Sequence, residues 1–91
     1  MQETYGIAAF RSRQQVLRFE AALRREGLAV NVVSTPRDVA LGCGLSVRFR
    51  IEDAPRVLRV LDRARPGNLV GVYRVEHAGG RPRLTVLARR E

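Results

Sequence analysis

At 91 residues the chain has the length of a single domain spanning 1–91, able to fold alone but with only one core to stabilise it. Its formal charge is +8 and all 17 basic residues are arginine, which excludes Schiff-base chemistry and a lysine nucleophile. One cysteine and one histidine can form neither an internal disulfide nor a zinc site within one subunit, so no metal is expected.

No apolar run is long enough to span a bilayer, and the N-terminus lacks the basic-then-apolar layout of a secretory signal. A cytoplasmic protein without a membrane partner is expected. The basic surplus favours anionic partners and speeds encounter with them. The arginines are scattered from Arg11 to Arg90, which favours compositional drift over a single selected patch.

Taken in order, Tyr5 to Phe10 reads as a first strand. Ser12 and Gln15 form a capping-box pattern that opens a helix. Val16, Phe19 and Leu23 share one face of it, and Gly27 stops it. Leu28 to Val33 is rich in β-branched residues and reads as a second strand.

Thr35 to Phe49 is the stretch around which the rest is arranged, and it holds Cys43. Thr35, Pro36 and Asp38 are start signals of a short helix, and Gly42 ends it in a left-handed conformation. From Leu45 the pattern alternates, with Leu45, Val47 and Phe49 facing the core and Ser46, Arg48 and Arg50 facing outward. That predicts a third strand ending near Ile51.

Glu52, Asp53 and Pro55 begin a second helix with a stripe at Ala54, Val57, Leu58, Leu61 and Ala64, closed by Pro66 and Gly67. Asn68 to Glu76 is a fourth strand, His77 to Gly80 an exposed turn, and Leu84 to Ala88 a fifth strand. The order predicts an α+β fold, a ferredoxin-like βαββαβ sandwich with an extra C-terminal hairpin strand.

The usual strand order of that topology, 4-1-3-2, brings the start of the third strand beside the end of the first. Cys43 is then expected near Phe10 and the first helix N-terminus, with Arg11, Ser12, Arg13, Arg37 and Arg48 as possible neighbours. Those groups favour a thiolate, while the carbonyl end of the short helix opposes it. The same order sends His77 roughly 20 Å away, too far to act as general base to Cys43. Gly42 and Gly44 leave the sulfur unshielded, whereas the bland reading is a small buried hydrophobe.

The segments T-P-R-D-V and C-G-L-S-V-R-F, set between the N-terminal strand–helix and Val72-Tyr73-Arg74, resemble the small selenium/sulfur carrier-like family of bacterial proteins. The resemblance runs from about Ile7 to Arg74. It implies that Cys43 carries sulfur or selenium covalently as a persulfide or selenopersulfide, with no other cofactor. Thr35, Pro36, Arg37, Gly42, Gly44 and Arg48 stand at matching motif positions. A stoichiometric carrier is implied rather than a turnover enzyme, with donor and acceptor proteins as partners. The chain departs from the pattern in its tail, Ala78 to Glu91, and in its arginine content, and it lacks the Cys-Pro-x-Pro motif of other bacterial sulfur relay proteins.

Two alternatives leave the cysteine inert. A nucleic-acid-binding module fits the charge, but the third strand offers Ser46, Arg48 and Arg50 outward rather than the aromatic residues that stack on bases. A small-anion-binding regulatory domain could form a homodimer through an uncovered sheet face made apolar by Gly6, Ala8 and Val72. Arg81, Arg83, Arg89 and Arg90 on the terminal strand read as protection of a sheet edge.

Overall fold

The computed structural model describes residues 3–36 and 44–89. Strand β1 (Glu3–Phe10) leads into helix α1 (Arg13–Arg25), then β2 (Val30–Ser34) and β3 (Leu45–Phe49). A short 3-10 turn, Ile51–Asp53, precedes α2 (Ala54–Ala64), and β4 (Leu69–Ala78) and β5 (Arg81–Arg89) close the chain. The five strands form one antiparallel sheet in the order β2-β3-β1-β4-β5, so β1 is central and β2 and β5 are the edges.

Capping chemistry fixes the ends of α1. The Ser12 hydroxyl accepts from the Gln15 N–H at 3.4 Å, so the capping residue acts as expected. At the other end Gly27 adopts φ +83, its N–H donates to Arg24 O at 2.9 Å, and the Leu28 N–H donates to Leu23 O at 3.1 Å. This paired closure needs a left-handed residue, and it sets Leu28 over Leu23 as the chain turns toward β2. Helix α2 ends differently, with Arg65 itself left-handed at φ 46 ahead of Pro66. Asp53 occupies the capping position of α2 but makes no side-chain capping bond.

The strand period of two separates the sheet into faces. On one face Ala8, Phe10, Val47, Phe49 and Val72 pack against Val16, Phe19 and Leu23 of α1 and Val57 and Val60 of α2. Phe10 and Phe19 meet at 5.4 Å between ring centroids with their planes tilted by 56°. Each such buried aromatic or aliphatic side chain contributes about 1.5–3 kcal/mol of transfer free energy, which makes this layer the main source of stability. On the other face Ile7, Ala9 and Val75 are buried beneath Tyr5, Val70, Tyr73 and Leu84, with no helix above them among the described residues.

The structure corrects three expectations. Ala8 and Val72 belong to the helix-covered core, and Gly6 lies under the Phe49 ring, so the uncovered face takes its apolar character from other residues. His77 is not in a turn: β4 runs to Ala78, and Gly79 and Gly80 alone reverse the chain. Ser46 does lie on the face away from the helices, yet it is 0% exposed. The short helix expected between Thr35 and Gly42 lies outside the described residues.

Candidate functional site

The segment bearing Cys43 leaves and rejoins the sheet through the β2–β3 connection. Val33 and Ser34 pair with Ser46 and Leu45, and one step further the Thr35 N–H donates to Gly44 O at 2.9 Å. The Thr35 and Ser46 hydroxyl oxygens lie 2.8 Å apart in a second bond across the same neck. A hydroxyl with no partner would be costly at the buried Ser46 position, and among the described residues no buried side-chain polar atom is left unsatisfied. The Thr35 hydroxyl, expected to cap a helix, is thus engaged with Ser46.

Gly44 is exposed at φ +91, and a Cβ placed on it would meet nothing within 4 Å. A side chain would be strained there for backbone reasons, not for lack of room. The residue directly after the cysteine therefore supplies no bulk. Cys43 itself lies outside the described residues, as do Arg37 and Gly42. Thr35 and Pro36, on the near side of the neck, are half-buried.

Strand register shows which other motif residues share this end of the sheet. Ala9 pairs with Ser46, so the chain leaving β1 through Arg11, Ser12 and Arg13 does so at the end where Gly44 enters β3. Arg11 and Arg13 are exposed, and the Arg11 N–H donates to Asn68 O at 2.7 Å, tying this end to the loop before β4. The first turn of α1 adds its partial positive charge at the same end.

Arg48 goes elsewhere. Its guanidinium pairs with Glu3 at 3.1 Å and lies 3.9 Å from the centroid of the Tyr5 ring. Because Arg48 is level with Ile7 on β1, its pairing with Glu3 carries the charge toward the opposite end of the sheet from Gly44. Tyr5 also stacks on His77, with centroids 5.8 Å apart and planes at 21°, and its hydroxyl lies 3.2 Å from His77 Nε2. His77 pairs with Glu3 across the strands, while Gly71, six residues earlier on β4, pairs with Ala9. Six strand residues span roughly 20 Å, so the histidine is at the far end from Gly44, as expected from the strand order. Near that far end Arg50 donates to Glu52 at 2.7 Å, which holds the Glu52 carboxyl below its ordinary range.

Sequence reasoning did not find Ser46 as the anchor of the neck, nor the Glu3–Arg48–Tyr5–His77 cluster. The only advance signal for Ser46 was a small hydroxyl residue inside a strand of larger side chains, two positions beyond Gly44. Among the described residues no group of three or more histidine, cysteine, aspartate and glutamate side chains could hold a metal, and no helix is long and apolar enough to cross a membrane.

A family model described as "Putative Se/S carrier protein-like" matches residues 5–70. That span takes in β1 from Tyr5 on, both helices, the neck at Thr35, Gly44 and Ser46, and the start of β4. No curated protein and no solved structure matches the chain.

Proposed function

We propose, from the premise that the chain belongs to the Se/S carrier-like family, that Cys43 carries one sulfur or selenium atom between partner proteins as a persulfide or selenopersulfide. The observation that carries this reading is the neck: two bonds close it at Thr35, while Gly44 leaves the position next to the cysteine free of side-chain bulk. Exchange at sulfur is governed by access and thiolate fraction, and the neck serves access. Arg11, Arg13 and the first turn of α1 share this end of the sheet and favour an anion there. The ferredoxin-like description of the sandwich and a cytoplasmic setting, where thiols stay reduced, go with this reading.

The transfer balances without an added oxidant. The Cys43 thiolate attacks the terminal sulfur of a donor persulfide, R–S–SH; the donor S–S bond breaks, a new one forms to Cys43, and the donor leaves as R–S⁻. In discharge an acceptor thiolate attacks the same terminal sulfur, and Cys43 departs as a thiolate. With a single cysteine the chain cannot release its cargo by forming its own disulfide, so a partner must act at every turn. This makes the protein a stoichiometric carrier.

Incubation with glutathione persulfide followed by intact mass measurement tests the reading. A gain of one sulfur that disappears in Cys43→Ala is expected, with alkylation of Cys43 titrating below the usual thiol value of about 8.5. A gain that survives the substitution, or no gain, overturns it. Nucleic-acid binding through the open sheet face finds less support. Of the aromatic rings there, Tyr5 is occupied by Arg48 and His77, and β3 contributes Ser46 and Arg48 rather than stacking residues.

A further inference from the structure

A cleft of about 340 Å³ lies between α1 and the end of α2, lined by Gln15, Arg18, Phe19 and Arg25 on one side and Arg65 and Pro66 on the other. None of its described lining residues carries a carboxylate. Among the described residues, no side-chain hydrogen bond or ion pair engages Arg18, Arg25 or Arg65, and all three are exposed.

Other arginines of the same two helices are tied down. Arg24 bonds Glu20 at 3.2 Å and Val30 O at 2.7 Å, Arg63 pairs with Glu26 at 2.9 Å, and Arg56 donates to Glu26 O at 2.8 Å. Glu20 and Glu26 are thus engaged outside the cleft, Asp62 of α2 is not among its lining residues, and the three cleft arginines keep their charge.

We infer that this cleft docks an acidic amphipathic helix of a protein partner. Arg18 and Arg25 are seven residues apart on α1, roughly 10 Å, which matches carboxylates two turns apart on a helix lying along α1. Beside the arginines the lining includes Ala22, Ala64 and Pro66, small apolar residues against which aliphatic side chains can pack. Phe19 is 2% exposed with its ring in the core, so the cleft offers no aromatic face to a nucleobase.

The position fits a carrier's partner, and in that respect the inference rests on the function proposed above. Arg65 and Pro66 lead into Leu69, which pairs with Phe10, while the adjacent Ala9 pairs with Ser46 of the neck. The Arg65–Pro66 side of the cleft therefore lies toward the same end of the sheet as Gly44.

Fluorescence anisotropy tests the docking with a labelled helical peptide carrying glutamates two turns apart and leucines on the intervening face. At physiological salt the double variant Arg18→Gln/Arg25→Gln loses about tenfold in affinity, as two exposed ion pairs of about threefold each imply, and Arg83→Gln/Arg89→Gln on β5 changes it less than twofold. All four arginines are exposed and, among the described residues, without a side-chain ion pair, and thermal melts of both doubles check that the fold is kept. Three results overturn the inference: equal losses in the two doubles, no peptide binding, or tighter binding of an equally charged single-stranded oligonucleotide. Sulfur loading of the same proteins from glutathione persulfide keeps the two readings apart. Loading without peptide binding removes the docking cleft alone, and peptide binding without loading removes the carrier alone.

Discussion

The two ends of the central strands are built by opposite means. At the Gly44 end, one backbone bond and one hydroxyl pair close the neck, and among the described residues nothing would meet a Cβ placed on Gly44. At the Glu3 end, side chains make the contacts: the Phe49 ring lies over Gly6 on the helix-covered face, and Glu3, Arg48, Tyr5 and His77 interlock on the other. The difference teaches where this fold places stability and where it leaves room. Order at the filled end comes from packing, which tolerates little change in volume. Order at the neck comes from a few directed bonds, the Thr35–Gly44 backbone bond and the Thr35–Ser46 hydroxyl pair.

Substitutions should expose that division. The largest effect is expected at the filled end, where a Cβ on Gly6 would fall on the buried Phe49 ring. Overpacking at such a site costs about 2 kcal/mol, so Gly6→Ala should lower the denaturant midpoint clearly while Cys43 alkylation at neutral pH stays unchanged. A Gly6→Ala protein as stable as the wild type would break the comparison.

A smaller loss, about 1 kcal/mol, is expected at the neck from Ser46→Ala, which deletes one hydroxyl and strands another. This substitution should speed hydrogen exchange at the Thr35 amide more than at Ile7, because the Thr35–Gly44 bond shares the neck. Uniform acceleration across the sheet would mean that the neck is not a local device.

The smallest effect is the coupling between Tyr5 and Arg48. A double-mutant cycle with Tyr5→Leu and Arg48→Gln should return about 0.5 kcal/mol, the scale of a cation over an exposed aromatic ring. Coupling indistinguishable from zero would reduce the interlocked cluster to chance proximity.

Much of the scaffold was legible in the sequence. Ser12 with Gln15, the Val16, Phe19 and Leu23 stripe, and the alternation of Leu45, Val47 and Phe49 each followed from local rules, and the structure places them as those rules require. Other features depend on partners distant in the chain. Residues from Gly6 to Phe10 are buried on both faces, so their alternation could not say which face the helices cover. Parity placed Ser46 on the face away from the helices but not its exposure, which the Thr35 contact decides. Arg48 is long enough to point to either end of β3, and Glu3, 45 positions away, settles the direction. The paired glycines suggest a longer reversal that would take in His77, whereas Gly79 and Gly80 alone make the turn. Thr35 and Gly44 stand out as candidate site residues by the family resemblance and the Ser12 region by the expected strand order, and register brings them to one end. Nothing local announced the free arginines of the interhelical cleft, because they stand apart from their paired neighbours only when the helices are side by side.

The family match ends at residue 70, two positions into β4, although β4 is one of only two neighbours of the central strand. A polypeptide trimmed to the matched span would keep both helices and the neck but leave one flank of β1 with unpaired amides and carbonyls, and would uncover Ile7 and Ala9 where Val75, Tyr73 and Leu84 now shield them. The part of this chain that lies past the match is therefore a wall of its foundation rather than an appendage.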